Sequence, residues 1–195
     1  MPKDSKELAI VCFAYKRPKH LKRCLYSIAK NRESKDIPII IYVDGAKNNI
    51  DHIKRKEVIK VIESSKNFLS ITIRERNYNY GLYSSLTKGI SEIFKEYKKA
   101  IILEDDLIVS QYFLNYMLKA LDIYENEKDV ASIHGYRPPI KDYFPETFFL
   151  RGADCWGWAT WYDRWQFFRH DAQKMREEIR ELNVSKKFNF LNNYD

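Results

Sequence analysis

A chain of 195 residues with 45% hydrophobic and 15% aromatic side chains can bury a core, which excludes a disordered polymer, and it carries no low-complexity tract or solenoid-period repeat. The formal net charge of +7 raises a nucleic-acid reading, but the basic residues (Lys16 to Arg23, Arg164 to Arg180) interleave with the apolar positions of expected helices and no RNA- or DNA-binding signature accompanies them. Three cysteines, Cys12, Cys24 and Cys155, are too few and too scattered for a disulfide framework or a zinc site.

In chain order, the N-terminus is polar and no apolar run reaches the ~20 residues a membrane span needs. The expectation is a cytoplasmic protein whose basic clusters read first as solvated helix faces, with a peripheral contact at the inner membrane face, or attraction to a phosphorylated or lipid-linked acceptor, as the alternative. Leu8 to Ala14 is a nearly continuous apolar run, the pattern of a strand buried on both faces of a parallel sheet. Pro18 fits the first turn of a helix whose apolar stripe is Leu21, Cys24, Leu25 and Ile28. A second strand, Pro38 to Val43, ends at the turn Asp44-Gly45, and a charged helix with Ile50, Ile53, Val58, Val61 and Ile62 follows. Leu69 to Ile73 reads as a third strand, and Leu82 to Tyr97 as a helix. The fourth strand, Ala100 to Leu103, runs into Glu104-Asp105-Asp106. Ser110 reads as a cap for a helix burying Phe113, Met117, Leu121 and Tyr124, and Val130 to Ile133 as a fifth strand ending at His134-Gly135.

Strands alternating with helices predict an α/β fold with a mostly parallel sheet flanked by helices. Ligands of such sheets gather beyond the carboxyl ends of the strands. Those ends are Tyr15 to Arg17, Asp44-Gly45, Arg74 to Gly81, Glu104 to Asp106, and His134 to Pro139.

Glu104, Asp105 and Asp106 repel one another unless a cation sits among them, and hard oxygen ligands suit Mg2+ or Mn2+ bridging to phosphates. The alternative is an acidic turn capping the next helix. Arg17 suits a bidentate clamp on a diphosphate, or a surface arginine at a basic helix start. Asp44 suits hydrogen bonds from a base or ribose, or an ordinary Asp-Gly turn. Gly81 opens a helix and permits a positive φ or a close backbone approach to a ligand, or serves simple turn chemistry. Trp156, Trp158, Trp161 and Trp165 fall within ten residues; most are expected to pack, with at least one near a sugar acceptor. Asp154 just before them is the first candidate for a general base, and Asp163 a weaker one.

The segments Ala14-Tyr15-Lys16-Arg17-Pro18, Ile41 to Gly45, Asn79 to Leu82 and Leu103 to Leu107 resemble GT-A glycosyltransferases. Within them the likeness is to the N-acetylglucosaminyltransferase I group and its bacterial, family 2-like relatives, and Cys155 to Trp161 resembles the bacterial branch. The resemblance covers Leu8 to Trp165, and implies a catalytic domain over residues 1–165 followed by a helical segment, 166–195. It implies that Asp106 binds the metal, Asp105 lies near the donor's ribose and sugar, Arg17 contacts the diphosphate, and Asp44 contacts uracil, with Glu104 and Gly81 also counted among the donor-binding residues. Relatives continue past the Trp-rich segment to supply the base, so either this chain is truncated or its base comes from Asp154 or from a residue not singled out in the sequence.

The function expected is therefore metal-dependent, inverting transfer of a sugar from a nucleoside-diphosphate sugar, a UDP-sugar first, to a hydroxyl of a glycan or lipid-linked acceptor in polysaccharide biosynthesis. The rivals are a non-catalytic nucleotide-sugar or glycan-binding module and a sugar nucleotidyltransferase. The second would want a glycine-rich basic loop where Tyr15-Lys16-Arg17-Pro18 stands.

Overall fold

A computed structural model describes residues 5–137 and 145–188; of the expected site loops, Pro138 and Pro139 lie outside the described residues. The chain divides into two compact units, residues 1–165 and 166–195.

The first unit is built on a six-stranded sheet of order β3-β2-β1-β4-β6-β5, with β1 Lys6–Ala14, β2 Ile39–Val43, β3 Ile71–Glu75, β4 Tyr97–Glu104, β5 Ile133–His134 and β6 Trp158–Trp161. The first four strands are mutually parallel, with Ile10 opposite both Ile39 and Ile101. β6 runs antiparallel to β4, with Ile102 opposite Trp158, and β5 antiparallel to β6. This mixed, mostly parallel sheet with helices on both faces is the GT-A arrangement.

The continuous apolar runs make sense only in a sheet covered on both sides. Along β1, Ile10, Cys12 and Ala14 face one core, shared with α1 (Pro18–Ala29), α2 (Asn49–Glu63) and α4 (Phe113–Ile123). Ala9, Val11 and Phe13 face the other, shared with α3 (Leu82–Ile93) and the short helix α5 (Tyr162–Trp165). Each such Ile or Val, fully removed from water, contributes about 1.5–3 kcal/mol. Cys12 and Cys24 are buried within the first core, as expected of small apolar side chains.

Local chemistry sets the helix starts. Pro18 opens α1, where its missing N–H costs nothing. Asn48 caps α2 by accepting the Asp51 N–H at 2.9 Å. Gly81, at φ +74°, precedes α3 in a conformation that side chains with a Cβ rarely adopt.

The structure corrects several element boundaries. α3 stops at Ile93, and Tyr97 instead opens β4, because Glu96 O accepts the Lys6 N–H and starts the ladder there. β3 is displaced two residues, to Ile71–Glu75, and Val130 to Ser132 precede β5 rather than forming it. Ser110 does not cap α4 directly; its Oγ and carbonyl accept the N–H groups of Tyr112 and Phe113 in the turn before that helix. Ile50 and Ile53 of α2 are exposed, whereas Val58 and Ile62 are buried. β6 has no counterpart among the expected strands. It puts Ala159 and Trp161 into one core and Trp158 against the other.

The basic cluster around Arg164 is partly structural. Arg164 is buried, donates to the carbonyls of Tyr124, Glu125 and Glu127 just past α4, and lies 4.3 Å from the Trp161 ring. In the second unit, helix α6 (Ala172–Glu181) is capped by Asp171 and followed by the short helix α7 (Ser185–Phe188), and Arg169 pairs with Glu178 at 2.7 Å. Among the described residues no helix is long and apolar enough to cross a membrane.

Candidate functional site

Because β1, β2, β3 and β4 are parallel, the loops after them emerge along one edge of the sheet. This edge brings Arg17, Asp44, Gly81 and the acidic triplet into one neighbourhood. β6 is antiparallel, so the residues preceding it, including Asp154, come to the same edge beside β4. Asp163, past the other end of β6, lies at the opposite edge and is ion-paired with Lys128 and Arg164 at 2.8 Å.

The acidic triplet ends β4. Its backbone is pinned where the Asp105 N–H donates to Phe13 O at 3.1 Å and the Leu107 N–H donates to Glu104 O at 3.2 Å. The three side chains differ in setting. Asp105 is 2% exposed; burial raises its carboxyl above the usual range even with Arg17 opposing. Glu104 is half-buried, and burial followed by the charges of Asp106 and Asp105 raises it as well. Asp106 is open to solvent. Arg17 reaches across from the end of β1 and spans the pair, donating from Nη2 to Asp105 and from Nη1 to Asp106 at 2.8 Å. A planar guanidinium fork suits two acceptors side by side, as it suits a diphosphate.

The donor set meets the coordination chemistry of a divalent cation in a particular way. Among the described residues no group of three His, Cys, Asp or Glu side chains converges as a closed metal cage. A half-buried Glu104 carboxylate that receives no hydrogen bond from the described residues and an exposed Asp106 suit Mg2+ or Mn2+. Such ions take one or two carboxylates and complete their shell with phosphate oxygens and water. The residues present fit that open kind of site.

Asp44 occupies a different position from that of a free acceptor. Its carboxylate, 5% exposed, receives the N–H groups of Gly45, Tyr80 and Gly81 and the Asn79 amide, all at 2.8–3.0 Å. It therefore ties the β3–α3 loop to the end of β2. Gly45 permits that closure: a Cβ there would lie 2.2 Å from the Tyr78 carbonyl carbon.

Sequence reading missed the latch beneath the Arg17 loop. Asp51, at the start of α2, is 3% exposed and accepts from Tyr15 Oη at 2.6 Å and Lys16 Nζ at 2.7 Å. Lys16 first and then Tyr15 hold its carboxyl below the usual range, while burial and the Asp51 bond push the Tyr15 phenol up to about 12. The one sequence signal was the Asn48-x-x-Asp51 spacing of a helix start.

On the other side of the acidic triplet, Asp154 makes a tight turn: its Oδ1 accepts the Trp156 N–H at 2.7 Å. Its own N–H donates to His134 Nδ1 at 3.3 Å, and His134 Nε2 lies 2.7 Å from Ser132 Oγ. Burial lowers His134, favouring the neutral ring. The Cys155 thiol is raised by burial and then by the charges of Glu104, Asp154 and Asp106. Of the four tryptophans, Trp161 is buried, Trp158 and Trp165 pack against the second core, and Trp156 is exposed at this edge.

Acidic residues at the end of β4 and an arginine fork beside them thus meet at the carboxyl edge of a mostly parallel sheet. The sequence model described as glycosyl transferase family 2 matches residues 9–186, and the chain belongs to that family. No curated protein sequence matches it significantly. Among solved structures, a mannosyltransferase from Pyrobaculum calidifontis in complex with GDP-Man and Mn2+ is similar at 13% identity and a TM-score of 0.47, over 62% of this chain and 33% of that one. S. aureus TarS 1–349 in complex with UDP-GlcNAc is similar at 14% identity and a TM-score of 0.45, over 62% and 32%. A 4-diphosphocytidyl-2C-methyl-D-erythritol synthase from Anaerococcus prevotii is similar at 12% identity and a TM-score of 0.48, over 91% and 83%. The chain spans about a third of the length of the first two. All three are distant, and family membership stands on the sequence match.

Proposed function

We propose that this chain carries the donor-binding and catalytic residues of a metal-dependent glycosyltransferase. It moves a sugar from a nucleoside-diphosphate sugar, a UDP-sugar first, to a hydroxyl of a glycan or lipid-linked acceptor. The observation that carries the reading is the acidic triplet at the end of β4 with the Arg17 fork laid across Asp105 and Asp106. Asp106 would hold Mn2+ or Mg2+, and the ion would supply charge neutralisation of the departing diphosphate. Arg17 turns its fork from the carboxylates to that diphosphate, adding donors where negative charge develops. With the fork turned away, Asp105 lies near the donor's ribose and sugar, and Glu104 lines the donor site beside the ion. Asp44 serves the nucleotide by holding Asn79 to Gly81 in place as the wall of its site.

Asp154 is the base. One carboxylate oxygen is fixed by the Trp156 N–H, and among the described residues the other accepts no hydrogen bond. It takes the proton of the acceptor hydroxyl as that oxygen bonds to the anomeric carbon. The anomeric carbon–phosphate oxygen bond breaks on the opposite side, giving inversion. In this reading the protein works in the cytoplasm, with basic side chains such as Lys19, Lys22 and Arg23 of α1 toward the inner membrane face, in polysaccharide biosynthesis.

The test is release of nucleoside diphosphate from a panel of UDP- and GDP-sugars, with and without Mn2+ and acceptor. Release that needs the metal and rises with an acceptor is expected. Donor binding with no hydrolysis or transfer under any condition would instead mark a binding module.

A further inference from the structure

The carboxyl edge of the sheet has a direction. The loops that carry Arg17, Asp44 and Gly81 follow β1, β2 and β3, on one side of the acidic triplet. On the other side, toward β6 and β5, a cleft of about 480 Å3 begins at Leu107, the residue after Asp106. Sites for small ligands run from roughly 300 to 1,000 Å3. Leu107 and Phe113 give it an apolar floor, continuous with the first core, and Tyr112, Tyr116, Tyr136 and Trp156 line it.

The aromatic wall is held in place. The Trp156 N–H is fixed by Asp154, the Gly135 N–H donates to Gly157 O at 2.8 Å, and the Tyr136 and Trp156 rings lie 4.5 Å apart at 56°. That tilt keeps the two rings from closing flat upon each other. A Cβ at Gly135 would sit 2.4 Å from the Phe113 ring, so the backbone lies directly on the floor. Trp156 is 53% and Tyr112 69% exposed, apolar surface that water covers poorly.

The lining chooses its ligand. Among the described residues no charged side chain lines the cleft, so nothing there compensates a phosphate or carboxylate. Tyrosine and serine hydroxyls stand beside the aromatic faces, which a plain hydrocarbon tail would leave unused. A neutral ring with an apolar C–H face and a hydroxyl rim uses both.

We propose that this cleft is a sugar subsite that holds a neutral pyranose, its C–H face against Trp156. On the glycosyl-transfer reading above, this is the acceptor's terminal sugar, held with a hydroxyl toward Asp154.

Saturation-transfer NMR on the intact chain with cellobiose, lactose and mannobiose tests the subsite, and nucleotide-sugar binding is measured separately by calorimetry. At least one disaccharide is expected to receive saturation at its ring C–H protons. Trp156→Ala should weaken that binding by roughly tenfold, with Trp156→Phe keeping part of it. Tyr112→Ala, at a still more exposed position, is a second variant should the first fold poorly. No transfer to any disaccharide, unchanged binding in both alanine variants, or displacement of the sugar by farnesyl phosphate would overturn the proposal. Disaccharide binding without nucleotide-sugar binding leaves the subsite standing and removes the transferase reading. The converse removes the subsite alone.

Discussion

Replacing Asp106 by alanine is expected to lower metal-dependent turnover by about 10²–10³-fold, or ~3–4 kcal/mol of transition-state stabilisation. Asp106 is the most exposed carboxylate of the triplet, and one of its oxygens is committed only to Arg17 Nη1. An ion held there would supply neutralisation of the charge on the departing phosphate, which places the expected loss mainly in kcat. The fold should tolerate the change. Arg17 keeps its bond to Asp105, and an exposed carboxylate contributes little to stability. Nucleoside-diphosphate release as a function of Mn2+ reads the effect. Turnover and metal dependence equal to those of the wild type would remove Asp106 from the metal site.

Arg17→Ala is expected to damage both stability and donor binding. Asp105 is 2% exposed and would lose its guanidinium partner. Breaking a fully buried pair costs about 3–5 kcal/mol. The Arg17 side chain is itself 45% exposed, so water screens the interaction and ~1–2 kcal/mol is the appropriate expectation. For a chain of this size that is a fall in Tm of roughly 2–8 °C. Adding Asp105→Asn removes the stranded charge and should recover most of the Tm while leaving nucleotide-sugar binding impaired. A double variant no more stable than Arg17→Ala would show that the pair is not what Arg17 contributes to the fold.

The elements legible in sequence were those with a strong one-dimensional signature. β1, β2 and β4 are runs of Ile, Val, Leu and Ala buried on both faces, and α1 shows its stripe of Leu21, Cys24, Leu25 and Ile28. β6 was not legible: Trp158 to Trp161 is a short segment whose strand character comes from antiparallel pairing with Lys99 to Ile102, far away in the chain.

The same distinction runs through the site. A cluster of carboxylates at a strand end is visible in sequence, and topology alone says that loops after parallel strands meet. In sequence Asp44 reads either as an acceptor for a base or ribose or as an Asp-Gly turn residue; the chain that closes around its carboxylate is residues 79–81. Asp51, one of the charges of a helix start, is covered by Tyr15 and Lys16. Both depend on contacts more than thirty residues apart, which local pattern does not encode. Trp156 differs from its three neighbours only in where β6 begins, which puts it outside the cores.

The most direct test of a donor site assembled by a metal and the Arg17–Asp106 constellation is a thermal-shift titration of UDP-sugars with and without Mn2+. A ligand that binds only the folded chain raises its stability by mass action, ~2.7 kcal/mol at a concentration 100 times Kd. The account predicts a rise in Tm for at least one nucleotide-sugar with Mn2+ and little or none without it. An equal rise without metal, or no rise for any nucleotide-sugar in its presence, would contradict it.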